Sequence, residues 1–142
     1  MQEWGGQFCL KGIMSVEDAK RAVEIGCTGI ILSNHGGRQL DGSRSAFDQL
    51  EEIVAAVGDS IDVLMDGGVQ RGTHVLKALS LGAKAVGLGR YYLYPLAAAG
   101  QPGVDRALTN LHTEVLRDMR LMGCQSIDEL SKDNLARHSG VV

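Results

Sequence analysis

Short apolar runs alternate along this chain with longer stretches whose apolar residues recur at helical spacing. Phe8-Cys9-Leu10 leads into Lys11 as a first strand, and Ser15-Val16-Glu17-Asp18 opens a helix with a capping-box pattern that stops at Gly26. Gly29-Ile30-Ile31-Leu32 is a second strand. Phe47, Leu50, Val54 and Val57 then mark one face of a helix stopping at Gly58. Ile61 to Met65 is a third strand, and Val75, Leu76 and Leu79 give a helix ended by Gly82. Ala85 to Leu88 is a fourth. Two helical stretches follow, one about Tyr92 to Ala99 and one from Gly103 to Met122. The second carries Val104, Leu108, Leu111, Val115, Met119 and Met122 on one face, and a polar tail with Ser126 and Ser131 as helix caps closes the chain.

The order βαβαβαβα means parallel strands covered by helices. A small doubly wound sheet and part of a (β/α)8 barrel both fit that order. The polar residues separate them. Lys11, Ser33-Asn34-His35, Asp66-Gly67-Gly68 and Gly89-Arg90 each stand at the C-terminal end of a predicted strand. In a barrel those ends converge on one mouth, where active sites are built. The expected fold is α/β: four βα units, the C-terminal half of a (β/α)8 barrel. A single half-barrel domain is expected over 1–142, with the four units within about 7–100 and C-terminal helices in 103–142.

Composition narrows the class without changing the fold. The 142 residues suffice for one core, and 44% apolar with 22% charged residues is ordinary for a globular protein. A net charge of −3 without a basic run argues against a nucleic-acid surface. No apolar stretch approaches the roughly 20 residues of a membrane span, and the N-terminus has no signal-peptide pattern. Cys9, Cys27 and Cys124 are far apart and odd in number, which predicts reduced thiols in a cytoplasmic protein. The histidines at 35, 74, 112 and 138 have no metal-ligand spacing, so no metal is expected.

The strand ends carry the chemistry. His35 can move a proton near neutral pH, and Arg38 can clamp a carboxylate bidentately. Gly36 and Gly37 between them let the backbone turn and a flat ligand approach. Together they suggest a small organic acid. Asp66-Gly67-Gly68-Val69-Gln70-Arg71-Gly72 precedes a helix, and Gly87-Leu88-Gly89-Arg90 repeats the device one strand later. Free amides at helix starts suit a phosphate. Lys11 either snorkels to water or faces a ligand. Tyr91, Tyr92 and Tyr94 read as packing residues, His74 as solvated, and His112 and His138 as surface residues.

With those residues in hand, the chain resembles the C-terminal half of the FMN-dependent α-hydroxy acid dehydrogenases and oxidases, from about Trp4 to Leu135. Leu10-Lys11-Gly12, Ser33 to Asp41, Asp66-Gly67-Gly68-Val69 and Gly89-Arg90 carry the resemblance, in that order. It implies oxidation of a small, lactate-like L-2-hydroxy acid to the 2-keto acid, with FMN as cofactor. It also implies that His35 is the base that removes a proton from the substrate, that Arg38 binds its carboxylate, and that Lys11 stabilises negative charge at the flavin N1/O2 edge. Ser33 would contact the flavin. Asp66, Gly67, Gly68, Val69 and Gln70, with Gly89 and Arg90, would hold the FMN phosphate. Members are cytoplasmic or peripheral to the membrane.

Two departures stand out. Gln70 replaces an arginine usual in the family, and Arg71 beside it points elsewhere in a standard turn. The larger departure is the absence of the first four βα units. Half a barrel has two unpaired edges and an uncovered inner face, so pairing with the missing half or self-association is expected. The competing expectations are an FMN- or phosphate-binding half-barrel without catalysis, and a purely structural fragment.

Overall fold

The computed structural model describes residues 3–136. β1 (Cys9–Lys11), β2 (Gly29–Leu32), β3 (Asp62–Asp66) and β4 (Ala85–Gly87) form one sheet in the order β1-β2-β3-β4, every neighbouring pair parallel. Between them run α1 (Val16–Glu24), α2 (Ala46–Val57) and α3 (Gly72–Ser80), and α4 (Arg90–Met122) follows β4. The chain thus folds as four βα units of a half (β/α)8 barrel.

Strand alternation assigns the two faces of the sheet. Ile30 and Leu32 of β2 and Val63 and Met65 of β3 turn toward the helices and are fully or almost fully buried. They pack with Ala19, Leu50, Ile53, Val57 and Ala78 in one cluster. Each of the larger side chains contributes about 1.5–3 kcal/mol by leaving water. On the opposite face, Lys11, Ile31, Leu64 and Ala85 form one row in register. No helix covers that face among the described residues. This row would lie inside a closed barrel.

The helix ends follow local chemistry. Ser15 Oγ accepts from the Asp18 N–H at 3.1 Å and Ser45 Oγ from the Asp48 N–H at 3.1 Å, satisfying donors in the first turns of α1 and α2. Gly26 ends α1 in the left-handed region (φ +85°), with the Cys27 N–H returning to the Ala22 carbonyl at 2.9 Å. The Ser131 N–H donates to Asn134 Oδ1 at 2.8 Å, whereas Ser126 makes no side-chain capping bond.

α4 is two helical segments joined at Ala99 and Gly100, whose φ values are −148° and +61°. Across the break, Tyr91 Oη donates to the Ala107 carbonyl at 2.9 Å. Its buried stripe is Ala107, Leu111, Asp118 and Met119. Leu108 and Met122, assigned to that stripe by spacing, are exposed at its margin. Tyr92 and Tyr94 also depart from the packing role expected for them. With Leu93 and Leu96 they stand exposed on the first segment. Among the described residues no helix is long and apolar enough to cross a membrane. His112 is exposed, and His138 lies outside the described residues.

Candidate functional site

Parallel strands of equal register deliver their C-terminal ends to one edge of the sheet, and three polar side chains meet there. Lys11 at the end of β1 donates from Nζ to Ser33 Oγ at 2.8 Å and pairs with Asp66 Oδ2 at the end of β3. Ser33 follows β2 directly and is 1% exposed. Its hydroxyl also accepts the His35 N–H at 3.1 Å. The ammonium therefore reaches across β2, held by a neutral and an anionic partner while 42% of its side chain stays in solvent. Lys11 is thereby tied to the ends of β2 and β3 rather than snorkelling alone to water.

The loop after β2 is shaped by its backbone. Asn34 Oδ1 accepts the Gly36 N–H at 3.1 Å, closing a tight turn, and His35–Gly37 forms a single 3-10 turn. His35 is the only described non-glycine residue in the left-handed region (φ +55°), a conformation that costs about 1–3 kcal/mol. The strain sets its ring over Gly12, where a Cβ would meet His35 Nε2 at 2.8 Å. Gly12 itself is in the left-handed region (φ +94°), where a side chain would be strained. His35 and Arg38 are both exposed, on the loop above the ends of β1 and β2. A cavity of about 520 Å³ runs beside this loop, lined among others by Met14, Ser33, His35, Leu40 and Gln49. With its amide oxygen turned to Arg44, buried Gln49 ties the loop to α2, accepting from Arg44 Nε at 2.6 Å and donating to the Met14 carbonyl at 3.0 Å.

The glycine loop after β3 offers backbone rather than side chains. Gly67 (φ +104°) and Gly68 (φ +74°) turn away from Asp66, and nothing lies within 4 Å of where a Cβ on Gly68 would stand. Gly89, at the start of α4, is equally open, and no side chain caps that helix. Arg90, the first residue of α4, reaches back to the loop after β2, donating from Nη2 to the Gly36 carbonyl at 3.1 Å. Open amides, a helix start and a guanidinium form a donor set that fits a phosphate. Asp66 belongs to that set through its backbone only, since its carboxylate faces Lys11. Val69 is buried and likewise offers only backbone.

Four features here were not read from the sequence. His74, expected to be solvated, is half-buried, and its Nδ1 lies 3.2 Å from both the Gln70 N and the Gly68 O. It stands at the third position of α3, from which a side chain reaches back over the helix start; that position was the available signal. Glu114 of α4 caps α3 from a distance, accepting the Gly72 N–H at 2.8 Å and pairing with Arg71 Nη2 at 3.2 Å. Arg71 is thereby turned toward α4, as its turn position suggested. Burial, followed by the Glu114 charge, pushes the Tyr91 hydroxyl pKa up. At the opposite end of the open face, burial raises the Cys9 thiol pKa, with Cys27 and Asp62 adding to it.

A family model for FMN-dependent dehydrogenases matches residues 1–137. Pre-mycofactocin synthase of Mycobacterium tuberculosis (strain ATCC 25618 / H37Rv) is 46% identical over 139 residues, covering 98% of this chain and 35% of its own length. The L-lactate dehydrogenase of Caulobacter sp. (strain K31) is 47% identical over 135 residues, 95% of this chain and 36% of that protein. Among solved structures, the monotopic membrane protein (S)-mandelate dehydrogenase superposes with a TM-score of 0.92 at 46% identity, covering 96% of this chain and 36% of that one. The chain spans about a third of the length of the curated relatives it matches. With its order of strand-end residues, its parallel βα units and a family match over nearly its whole length, the chain belongs to the FMN-dependent dehydrogenase family.

Proposed function

We propose that this chain supplies the proton-transfer, carboxylate-binding and phosphate-binding part of an FMN-dependent 2-hydroxy acid oxidoreductase site, acting on a lactate-like acid. The observation that carries the reading is the meeting of Lys11, Ser33 and Asp66 beneath the His35 loop, with Arg90 reaching that loop from the start of α4. Relatives named for lactate and mandelate support the substrate class. Bound FMN would supply the acceptor for the two electrons leaving the substrate.

The residues act as follows. Arg38, exposed on the loop, pairs with the substrate carboxylate and turns the α-carbon toward His35. His35 takes a proton from the hydroxy acid, and the strained backbone fixes the ring on the open side of the loop. Lys11 presents positive charge on the uncovered face, where negative charge develops on reduction, and Ser33 and Asp66 fix the position of that charge. The amides of Gly67, Gly68, Gln70 and Gly89, with Arg90, bind the phosphate, and Gln70 contributes no cation of its own. The half-barrel unit over 1–142 acts together with a complementary half-barrel or a second copy covering the open face.

The test is addition of FMN to the chain, followed by L-lactate, L-mandelate or glycolate with a dye acceptor. Turnover lost in His35→Gln and in Arg38→Met supports the reading. Flavin bound at full stoichiometry without turnover, even with a complementary N-terminal half-barrel from a relative, assigns the chain to binding alone. The uncovered face and the one-third coverage favour that second reading for the chain in isolation. No flavin bound in either setting refutes both.

A further inference from the structure

His74 engages the glycine loop at Gly68 and Gln70, and the proposed reaction leaves it without a role. Its Nδ1 sits 3.2 Å from the Gln70 N–H, which donates to it, and 3.2 Å from the Gly68 carbonyl oxygen. A single imidazole nitrogen cannot serve both. With the proton on Nε2, Nδ1 accepts from Gln70 and faces the Gly68 oxygen lone pair against lone pair. With the proton on Nδ1, it donates to Gly68 and leaves the Gln70 amide without its acceptor. The position of one proton on a neutral ring thus decides whether that amide is held inside the loop or offered outward.

We propose that His74 is the positioning residue of the glycine loop, a tautomeric latch that holds the Gln70 amide until an oxyanion claims it. This inference rests on the reading of the loop as the phosphate site. In the free chain Gln70 donates to Nδ1 and the loop keeps its shape. When a phosphate arrives, the Gln70 N–H turns to it, the ring gives up its Nε2 proton to solvent and takes one at Nδ1, and Nδ1–H then donates to Gly68. Net charge on the ring does not change. The surroundings suit a latch: the ring lines a cavity of about 230 Å³ with Phe47, Met65 and Val69, and Lys77 of α3 is the only charged side chain among its lining residues. The latch makes the loop amide available only where an anion can take it, and it gives Gln70 a backbone part in binding that its side chain does not supply.

Nitrogen NMR of the full chain reads the two states directly, because the Nδ1 and Nε2 shifts of neutral histidine differ between tautomers. The free chain is expected to show the Nε2–H form and a Gln70 amide protected from solvent exchange. FMN is expected to move His74 toward the Nδ1–H form. His74→Ala is expected to expose the Gln70 amide and, by removing the Nδ1–H bond to Gly68 made in the bound loop, to weaken FMN binding by about tenfold, the scale of one hydrogen bond. His74→Asn, whose Oδ1 falls near the Nδ1 position, should restore the protection. Should His74→Ala leave both the Gln70 protection and the FMN affinity unchanged in a chain that binds FMN, the latch is wrong and the phosphate reading survives. Should the chain bind no FMN while His74→Ala still frees the Gln70 amide, the positioning role stands and the phosphate reading falls. A free chain already in the Nδ1–H form overturns the latch.

Discussion

Gly72 sits where α3 crosses α4 almost backbone to backbone. A Cβ there would stand 2.6 Å from the Val115 N and 2.7 Å from both the Glu114 carbonyl carbon and Glu114 Cβ. Helical backbone cannot rotate away, so Gly72→Ala forces α4 outward. Three terms set the outcome. Replacing glycine by alanine in a helix gains about 1 kcal/mol of propensity. Overpacking costs about 1–3 kcal/mol. Moving α4 also stretches the bond from the Gly72 N–H to Glu114 Oε2, a charge-assisted bond of about 1.5–3 kcal/mol. The sum is a net loss of about 2 kcal/mol or more. In urea, with a slope of about 1–3 kcal/mol per molar, the unfolding midpoint should fall by roughly 1 M. Glu114→Ala should cost less in the Gly72→Ala background than in the natural chain, because the bond it removes is already strained. A midpoint that stays or rises would mean that propensity wins and that α4 yields at the crossing without cost.

His35→Gly removes a left-handed histidine and should raise stability by about 1 kcal/mol in urea; a chain no more stable would show that the loop is unstrained. Lys11→Met should change stability by less than about 1 kcal/mol, because the ion pair is substantially exposed, yet weaken FMN binding measured by flavin fluorescence. A loss of several kcal/mol would make Lys11 a structural strut instead. The raised Cys9 pKa keeps the thiol protonated to higher pH than a free cysteine, so its alkylation by iodoacetamide should lag behind free cysteine at pH 8 and accelerate above pH 9. Mass spectrometry of the alkylated chain reads this, and a rate matching free cysteine at pH 8 contradicts it.

What could be read from the sequence were features written locally. An apolar run followed at once by a polar cluster marks a strand end, and four such ends in a parallel βα order point to one mouth. Lys11, Ser33 and Asp66 fell on that mouth by position alone, before any contact was known. Their mutual bonds could not be read, because Lys11 and Asp66 meet only through the β1-β2-β3 register. Glu114 illustrates the same limit: nothing near it announces a cap for a helix begun at Gly72, and only the crossing of α3 and α4 brings them together. The tyrosines show the reverse. Composition assigns an aromatic to packing, but Tyr92 and Tyr94 stand exposed on α4. The periodic stripe of α4 likewise marks a helical face correctly, yet burial along it depends on what packs there, which periodicity does not encode.

The strand order has a consequence for how the chain reaches this fold. Each strand pairs with the strand made just before it, so Cys9 meets Gly29, Gly29 meets Asp62 and Leu64 meets Ala85, each after one helix and its loops. No pairing waits for a distant segment, and each step closes a loop of similar entropic cost. Assembly can therefore proceed strand by strand, with every new unit templated on the last. A barrel made this way opens between units with the loss of only two strand seams, and closes again by the same two. Division of such a fold into parts, or its growth by joining them, leaves each part's internal pairing intact.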